Sequence, residues 1–372
     1  MSERGGIVRH YLPGGLEHGG GIGRFVGYLV AADRARCHSI VDTRGPRMTF
    51  GSPFRLLGAM GAMAMDRVAR PSAIHHIHVA GRGSTVRKLV LTFAARSLGC
   101  RHLLHLHDYD YAADYMRRRS FGQALVRRMF QGADEVIVLG QRDRRLMNEE
   151  LGVAQDRVSV FHNCVPDPGP MIRPDRAFPT ILFLGRLSDR KGVPELLEAL
   201  ASPEVMQERW TAILAGDGPV TQYRERAREL GIFDRVEMPG WLPADAVETL
   251  LRRADILVLP SHAEGMSMAV LEGLAHGLVV VTTPVGAHEE AIADGVNGIF
   301  VPPGDVSALS SALGGLLLNP GRRHKLAGSG RALFLSRFSM SAYLPRLEAL
   351  YATIGQTAQQ RGRCQDPEHE PD

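Results

Sequence analysis

Thr180-Ile-Leu-Phe-Leu-Gly-Arg-Leu-Ser-Asp-Arg-Lys-Gly192 is the stretch from which the architecture can be read. Thr180 to Leu184 is short and almost wholly apolar, the pattern of a strand buried on both faces. Gly185 turns the chain, and apolar spacing resumes over Val193 to Ala201 as a helix. Strand, glycine turn and helix make half of a βαβ unit, and the pattern repeats in both directions. Downstream it gives strands at Thr211 to Ala215, Val236 to Met238, Ile256 to Leu259 and Val279 to Thr282, with helices Val220 to Leu230, Ala244 to Arg252 and Met268 to His276 between them. Upstream it gives strands at Ser39 to Val41, Ile74 to Val79, His102 to Leu106, Glu135 to Leu139 and Arg157 to Phe161. The helices there are Gly23 to Ala32, Phe54 to Ala69, Val86 to Ser97, Met116 to Phe130 and Asp143 to Glu150.

Pro166-Asp-Pro-Gly-Pro170, followed by Pro174 and Pro179, interrupts this rhythm, because proline is excluded from helix interiors and central strands. The chain of 372 residues therefore divides into two doubly wound α/β domains, 1–168 and 179–338, joined by a linker at 169–178. A helix within 339–356 follows, and the polar residues 357–372 read as a disordered tail. A hydrophobic fraction of 44% with 23% charged residues excludes wholesale disorder. No apolar run reaches the length of a membrane-spanning helix, and the N-terminus has no signal-peptide core, so a cytoplasmic protein is expected. Cys37, Cys100, Cys164 and Cys364 share no metal-ligand or redox spacing and are expected to be reduced thiols.

The net charge of +4 conceals an asymmetry. Up to Pro168 there are 24 Lys+Arg against 15 Asp+Glu, and from Gly169 onward 20 against 25. Arg117, Arg118, Arg119, Arg127 and Arg128 crowd one predicted helical stretch. They read either as a solvated cationic face or as a surface that docks on an anionic membrane leaflet. Nucleic acid is not expected as a partner, since no zinc-finger spacing or aromatic-rich basic strand is present.

Polar and glycine-rich residues fall just after predicted strands, where open parallel sheets bind ligands. His18-Gly-Gly-Gly-Ile-Gly-Arg24 precedes a helix and reads as an anion cradle or as a flexible loop. It lacks the Lys-Ser/Thr of a P-loop. In Leu104-His-Leu-His-Asp-Tyr-Asp-Tyr111, alternation puts His105 and His107 on one sheet face, with His107 where the strand ends. Metal binding by His75, His76 and His78 is not expected, and the Asp108/Asp110 pair is read as coincidence. Arg186 and Lys191 in the quoted stretch suit a diphosphate, the arginine by bidentate bonds and the lysine as a point charge. In Pro260-Ser-His-Ala-Glu-Gly-Met-Ser-Met-Ala-Val-Leu-Glu272, Glu264 lies in a loop after a strand and Glu272 on the following helix. A carboxylate placed as Glu272 is can accept two hydrogen bonds from a vicinal diol such as ribose. The Gly265-Met266-Ser267 region offers free N–H groups at a helix start.

Leu184-Gly-Arg-Leu187, Arg190-Lys-Gly192, Ala215-Gly-Asp-Gly-Pro219, Met238-Pro-Gly-Trp-Leu242 and the Glu264/Glu272 pair occur in the order found in family 4 glycosyltransferases. The chain resembles a retaining member of that family with the GT-B fold, in which two Rossmann-like domains face a central cleft. The N-terminal half is similar to bacterial exopolysaccharide and lipopolysaccharide enzymes. The resemblance implies a nucleotide-sugar donor, bound by the C-terminal domain, and a lipid-linked or saccharide acceptor, bound by the N-terminal domain. It implies Arg186 and Lys191 on the donor diphosphate, Glu272 on the ribose, Glu264 on the sugar hydroxyls and His107 beside the transferred sugar. It implies Gly20, Gly21 and Gly23 as a loop closing on the diphosphate, with Gly216, Asp217, Gly265, Met266 and Ser267 also on the donor. It implies that the last helix returns to the N-terminal domain. Cationic side chains and helix N–H groups take up the charge of the leaving diphosphate, so neither cofactor nor metal is expected. The pattern departs from the family at the first strand, which Gly6 to Tyr11 writes weakly. A nucleotide-sugar epimerase of the same fold and a non-catalytic sugar-binding scaffold are the competing classes. The first needs no acceptor; the second needs a decayed site, whereas His107, Arg186, Lys191, Glu264 and Glu272 are all in place.

Overall fold

The computed structural model describes residues 5–47, 49–170 and 178–363, with backbone alone at 5 and 357–363. Two compact units result. Unit 1 holds the residues up to His162 together with those from Met340 onward, and unit 2 is Asn163–Ser339.

Unit 1 is built on a six-stranded parallel sheet. Its strands are β1 (Gly5–Leu12), β2 (Arg36–Asp42), β3 (Ile74–Val79), β4 (Arg101–Leu106), β5 (Glu135–Val138) and β6 (Val158–Val160), in the order β2-β1-β3-β4-β5-β6. The weakly written first strand is thus a central one. Its pattern is obscured by two polar residues that have buried partners. Arg9 makes a two-pronged bond to Asp66 on helix Ser52–Ala69, Nη2 to Oδ1 at 2.8 Å, and the Asp66 side chain is 1% exposed. His10 is fully buried among other histidines on the opposite face of the strand. The Arg9 face continues as an ordinary apolar core in which Tyr11, Ile77, Leu104 and Val136 meet Met63, Leu91 and Phe130.

Unit 2 carries a second parallel sheet of β7 (Thr180–Leu184), β8 (Thr211–Ala215), β9 (Val236–Gly240), β10 (Ile256–Leu259), β11 (Val279–Thr282) and β12 (Ile299–Phe300). The order is β12-β11-β10-β7-β8-β9. Every residue of β7, β10 and β11 is buried, as strands covered by helices on both faces must be. In each sheet the strand order reverses once, between β1 and β3 in unit 1 and between β7 and β10 in unit 2. Ligands of open α/β sheets bind beyond the strand ends at such a reversal.

Several sequence expectations need correction. The helix expected over Met116 to Phe130 is two helices, Tyr111–Met116 and Ser120–Gln131, because Arg119 is extended. The arginine cluster is correspondingly divided: Arg118 bonds Asp114 at 2.7 Å, Arg117 bonds Asp110 at 3.2 Å and Arg127 donates to the Tyr115 hydroxyl at 2.7 Å. The helix expected over Asp143 to Glu150 is α-helical only at Gln141–Arg145 and widens into a π turn at Leu146–Glu150. The last helix, Met340–Arg363, continues past the boundary at 356, and residues 364–372 of the expected tail lie outside the described residues. Of the expected linker, 171–177 lie outside them too. The residues just before are packed on unit 2, where Arg331 bonds both Asp167 and the Gly169 carbonyl. No described helix is long and apolar enough to cross a membrane.

Candidate active site

In unit 2 the strand ends on one side of the reversal, those of β7, β8 and β9, are locked together through their backbones. Gly185 N donates to Ala215 O at 3.0 Å, Leu187 N to Asp217 O at 2.7 Å and Gly216 N to Gly240 O at 2.9 Å. Gly216 has φ 156°, and a Cβ there would collide with the Gly185 carbonyl, so this approach requires glycine. The crossing sets the Arg186 and Asp217 backbones side by side, and both side chains are exposed.

Beyond β7, Asp189–Lys191 forms a single 3-10 turn that ends at left-handed Gly192, packed against the Pro260 carbonyl at the end of β10. His262 N donates to Arg190 O at 2.9 Å across the same seam. This brings Lys191 to Glu264, and the ammonium bonds carboxylate oxygen Oε1 directly. Ser261 Oγ donates to the same oxygen at 2.9 Å, and Arg190 Nη1 lies 3.8 Å from it. The Lys191 and Glu264 side chains are 13% and 10% exposed. Gly286 (φ 62°) lets the next loop close over the Glu264 and Gly265 carbonyls, and Ala287 N donates to Gly265 O at 2.8 Å. Behind the carboxylate, His288 bonds Thr282 Oγ1 and the Thr283 carbonyl; burial lowers its pKa and outweighs the opposing pull of Glu264.

The loop then enters helix Met268–Ala275 at Ser267, which makes no side-chain cap, so the first-turn N–H groups have no partner within the helix. Met266 and Ser267 are buried, and Asn163 Nδ2 holds the Met266 carbonyl at 2.8 Å. Glu272 is only 3% exposed on this almost wholly buried helix. Thus Arg186, Lys191, Gly216, Asp217, Glu264, Gly265, Met266 and Ser267 all lie on strand-end loops of one sheet. Ser261 and Arg190 belong with them and were not singled out from sequence. Ser261 lies three residues before Glu264, which was the available signal.

In unit 1 the glycine-rich segment is more ordered than a loop. Helix Gly20–Ala32 already includes Gly20, Gly21 and Gly23, with Gly20 left-handed at φ 60°. Gly23 is required by packing, since a Cβ would lie 2.7 Å from Leu16 O, whereas a Cβ on Gly20 or Gly21 would meet open space. Gly14 N donates to Asp42 at 2.7 Å. Burial acts to raise the Asp42 pKa, but the N–H groups of Gly45, Arg44 and Gly14 and the charge of Arg55 outweigh it and hold the carboxyl below its usual range. Lys88, fully buried, donates to Tyr11 O at 3.1 Å and Thr43 Oγ1 at 2.9 Å where β1 and β2 end; burial takes its pKa far below the usual lysine range.

His107 follows β4, and its ring centroid is 4.0 Å from that of His105. Its Nε2 lies 2.9 Å from His78 Nδ1, and burial lowers its pKa to about 3, so the ring is neutral at physiological pH. His75, grouped with His76 and His78 in sequence, faces the other way and bonds the Tyr11 hydroxyl at 3.0 Å. The ring nitrogens of His10/His76/His78 and of His78/His105/His107 lie within 4.8 Å of one another. Several of these nitrogens also pair with one another, His10 with His78, His76 with His105 and His78 with His107, and the rings are stacked or tilted over one another. Asp108 is fully engaged with backbone, one oxygen on Gly81 N and the other on Asp110 N at 2.8 Å.

Residues 19–167 match the family described as Glycosyltransferase Family 4, and residues 173–333 match Glycosyl transferases group 1. The alpha-D-kanosaminyltransferase of Streptomyces kanamyceticus is 30% identical over 180 residues, 48% of this chain and 46% of that protein. The chain thus spans about half the length of that relative. The 2-deoxystreptamine N-acetyl-D-glucosaminyltransferase of Streptomyces fradiae is 26% identical over 325 residues, covering 79% of this chain and 74% of that one. Among solved structures, the sucrose-phosphate synthase of Thermosynechococcus elongatus superposes with a TM-score of 0.75 at 17% identity, over 95% of this chain and 100% of that one, a likeness of fold.

Proposed function

From the premise that the chain belongs to the family-4-like glycosyltransferases of GT-B fold, we propose that it is a retaining transferase using a nucleotide-sugar donor. A UDP-sugar is the favoured donor and GDP-mannose the next. The acceptor is a lipid-linked or saccharide hydroxyl, and the pathway is that of cell-envelope or extracellular polysaccharide. The enzyme acts in the cytoplasm, at the inner face of the membrane.

The observation that carries this reading is the Lys191–Glu264 pair at the strand reversal of unit 2, with Arg186 exposed on the adjoining loop. When the sugar–phosphate bond breaks, negative charge grows on the diphosphate and positive charge on the sugar. Arg186, Lys191 and the N–H groups at the start of helix Met268–Ala275 stabilise the first. Glu264 accepts hydrogen bonds from the sugar hydroxyls, and its charge favours the developing cation. Glu272 receives the ribose diol. This reading assigns one carboxylate, Glu264, to the sugar, whereas retaining glycosidases use an opposed pair to form a covalent intermediate. The leaving phosphate therefore takes the acceptor proton while His107 orients the sugar. Fixed cations do the work of a metal, so none is required.

The test is a panel of nucleotide sugars, scored by thermal stabilisation and by slow donor hydrolysis. Stabilisation by one nucleotide class with hydrolysis of its sugar supports the reading. Epimer formation without acceptor would replace it with the epimerase, and binding without turnover with a scaffold.

A further inference from the structure

A row of hydrogen bonds crosses unit 1 from its edge strand to His107. Asp33 Oδ1 accepts from the N–H groups of Ala35 at 2.9 Å and Arg36 at 3.2 Å, and Oδ2 lies 2.8 Å from His38 Nε2. His38 Nδ1 is 2.9 Å from His10 Nε2, His10 Nδ1 is 3.1 Å from His78 Nε2, and His78 Nδ1 is 2.9 Å from His107 Nε2. Each step joins the Nδ1 of one ring to the Nε2 of the next. A second row, Tyr351 to His76 at 2.7 Å and His76 to His105 at 3.2 Å, stacks against the first. His76 lies 4.3 Å from His78 with an interplanar angle of 14°. Phe25 presents its ring 5.5 Å from His105 and 5.8 Å from His107, so the imidazoles are confined on several sides.

A neutral imidazole has one donor and one acceptor nitrogen, so in a closed row the choice at one end fixes every ring. His10, His78 and His107 are neutral: burial lowers the His10 and His107 pKa to about 3 and takes His78 far below the usual histidine range. Asp33 already accepts two backbone N–H groups on Oδ1, and with Oδ2 accepting in the same way, His38, taken like its neighbours as a ring with one proton, carries that proton on Nε2. Its Nδ1 then accepts from His10 Nε2–H, His10 Nδ1 from His78 Nε2–H, and His78 Nδ1 from His107 Nε2–H. The end of the row is a bare lone pair on His107 Nδ1.

We infer that Asp33, His38, His10 and His78 are positioning residues that hold His107 in its Nε2–H tautomer, so that Nδ1 accepts a hydrogen bond from a hydroxyl of the transferred sugar. The inference rests on the proposed function only for what meets Nδ1; the tautomer itself stands on the geometry.

Ring-nitrogen NMR of the full chain, labelled with 15N-histidine at pH 7, tests it. Wild-type His107 should show a protonated Nε2 and an unprotonated Nδ1. His10→Phe keeps an aromatic ring but cuts the row. His78 Nε2–H then loses its acceptor, so His78 should move its proton to Nδ1 and donate to His107 Nε2. His107 should switch to the Nδ1–H form. Transfer kcat should fall at least tenfold with the donor KM within twofold. His38→Phe, nearer the sheet edge, should produce the same switch and serves if His10→Phe fails to fold. Wild-type His107 protonated at Nδ1, or His107 unchanged in a folded variant, overturns the inference. Absence of any transfer activity would count against the proposed function and leave the NMR result to decide this one.

Discussion

Lys191 and Glu264, 73 residues apart, meet through a direct ammonium–carboxylate bond at the point where the unit 2 sheet reverses its strand order. Lysine and Ser261 both bond Oε1, so neither of these bonds occupies Oε2, and the carboxylate can keep its anchor while receiving a sugar hydroxyl. One pair thus links the cation expected on the diphosphate to the anion expected on the sugar. Arg186→Ala should lower kcat/KM by about 10² to 10³ with little effect on stability, because its side chain is exposed. Lys191→Ala should cost a similar factor and also about 1–3 kcal/mol of stability, since it strips a buried carboxylate of its charged partner. Steady-state kinetics with denaturant unfolding of both variants checks this. Near-normal turnover in the double variant would sink the diphosphate assignment.

The glycines of helix Gly20–Ala32 separate packing from ligand contact. Gly23→Ala drives a methyl group against the Leu16 carbonyl and should destabilise unit 1 by about 1–3 kcal/mol. Gly21→Ala meets nothing within 4 Å and should stabilise it by about 0.5–1 kcal/mol through helix propensity. If Gly21 N–H approaches the donor diphosphate, this stabler variant should show a raised donor KM. An unchanged KM would assign the glycine run to folding alone.

The helices Ser52–Ala69, Gly83–Ser97 and Ser120–Gln131 expose Phe54, Leu57, Val90, Phe93 and Phe121, and neighbouring members of the three pack side by side. Arg119 and Arg128 are exposed among them, whereas Arg117, Arg118 and Arg127 have partners within the unit. Aromatic side chains beside arginines are the combination that binds an anionic lipid surface. Exchanging Arg119 and Arg128 for glutamate, with Phe93→Ser and Phe121→Ser, should weaken partitioning into phosphatidylglycerol vesicles by at least about 30-fold, at roughly 1 kcal/mol per arginine. Flotation with and without anionic lipid measures it. Equal partitioning of the variant would leave only a solvated cationic face.

Arg82 is the one described non-glycine residue with positive φ, at φ 58° and ψ −127° between β3 and helix Gly83–Ser97. Its N–H donates to Asp114 at 3.1 Å, and Arg118, itself bonded to Asp114, reaches its carbonyl at 3.3 Å. Such a conformation costs a residue bearing a Cβ about 1–3 kcal/mol. Arg82→Gly should therefore raise the midpoint of unit 1 unfolding by a few degrees. A lowered midpoint would mean that the side chain contributes more than the strain costs.

How much of this was legible in the sequence depended on whether a residue's partner lies nearby in the chain. β7 and β10 could be read directly, because strands covered on both faces are continuous apolar runs. β1 could not, because Arg9 and His10 look like surface residues until Asp66 and the other histidines are brought against them. The break at Arg119 carries no glycine or proline to announce it. Spacing placed His105 with His107 on a common face. His10, His38 and Asp33 join them only through strand order. Glu264 stood out by its position after a strand, but its bond to Lys191 depends on a glycine turn at Gly192 that only the packed chain explains.

The buried histidines make unit 1 sensitive to acid, with a definite sign. Burial lowers the pKa of His10 and His107 to about 3 and of His75 to about 4, from about 6.5 in an unfolded chain. Between those limits the unfolded state binds more protons, so stability rises with pH; it is complete above about 6.5 and lost as the pH falls toward 3. Each histidine contributes at most about 1.4 kcal/mol per pH unit, so these three give up to about 4. Trp210 and Trp241 both lie in unit 2, so tryptophan fluorescence follows that unit. Hydrogen exchange in β1, β3 and β4 follows unit 1. From pH 7 to 5 the exchange-derived stability of those strands should fall steeply, and His10→Phe should remove up to one proton from the slope. Because His107 stays neutral throughout, transfer measured on folded enzyme should show no titration of His107 between pH 5 and 8. Strands of unit 1 equally stable at pH 7 and pH 5 would mean that the imidazoles accept protons without unfolding, and the neutral row would have to be abandoned.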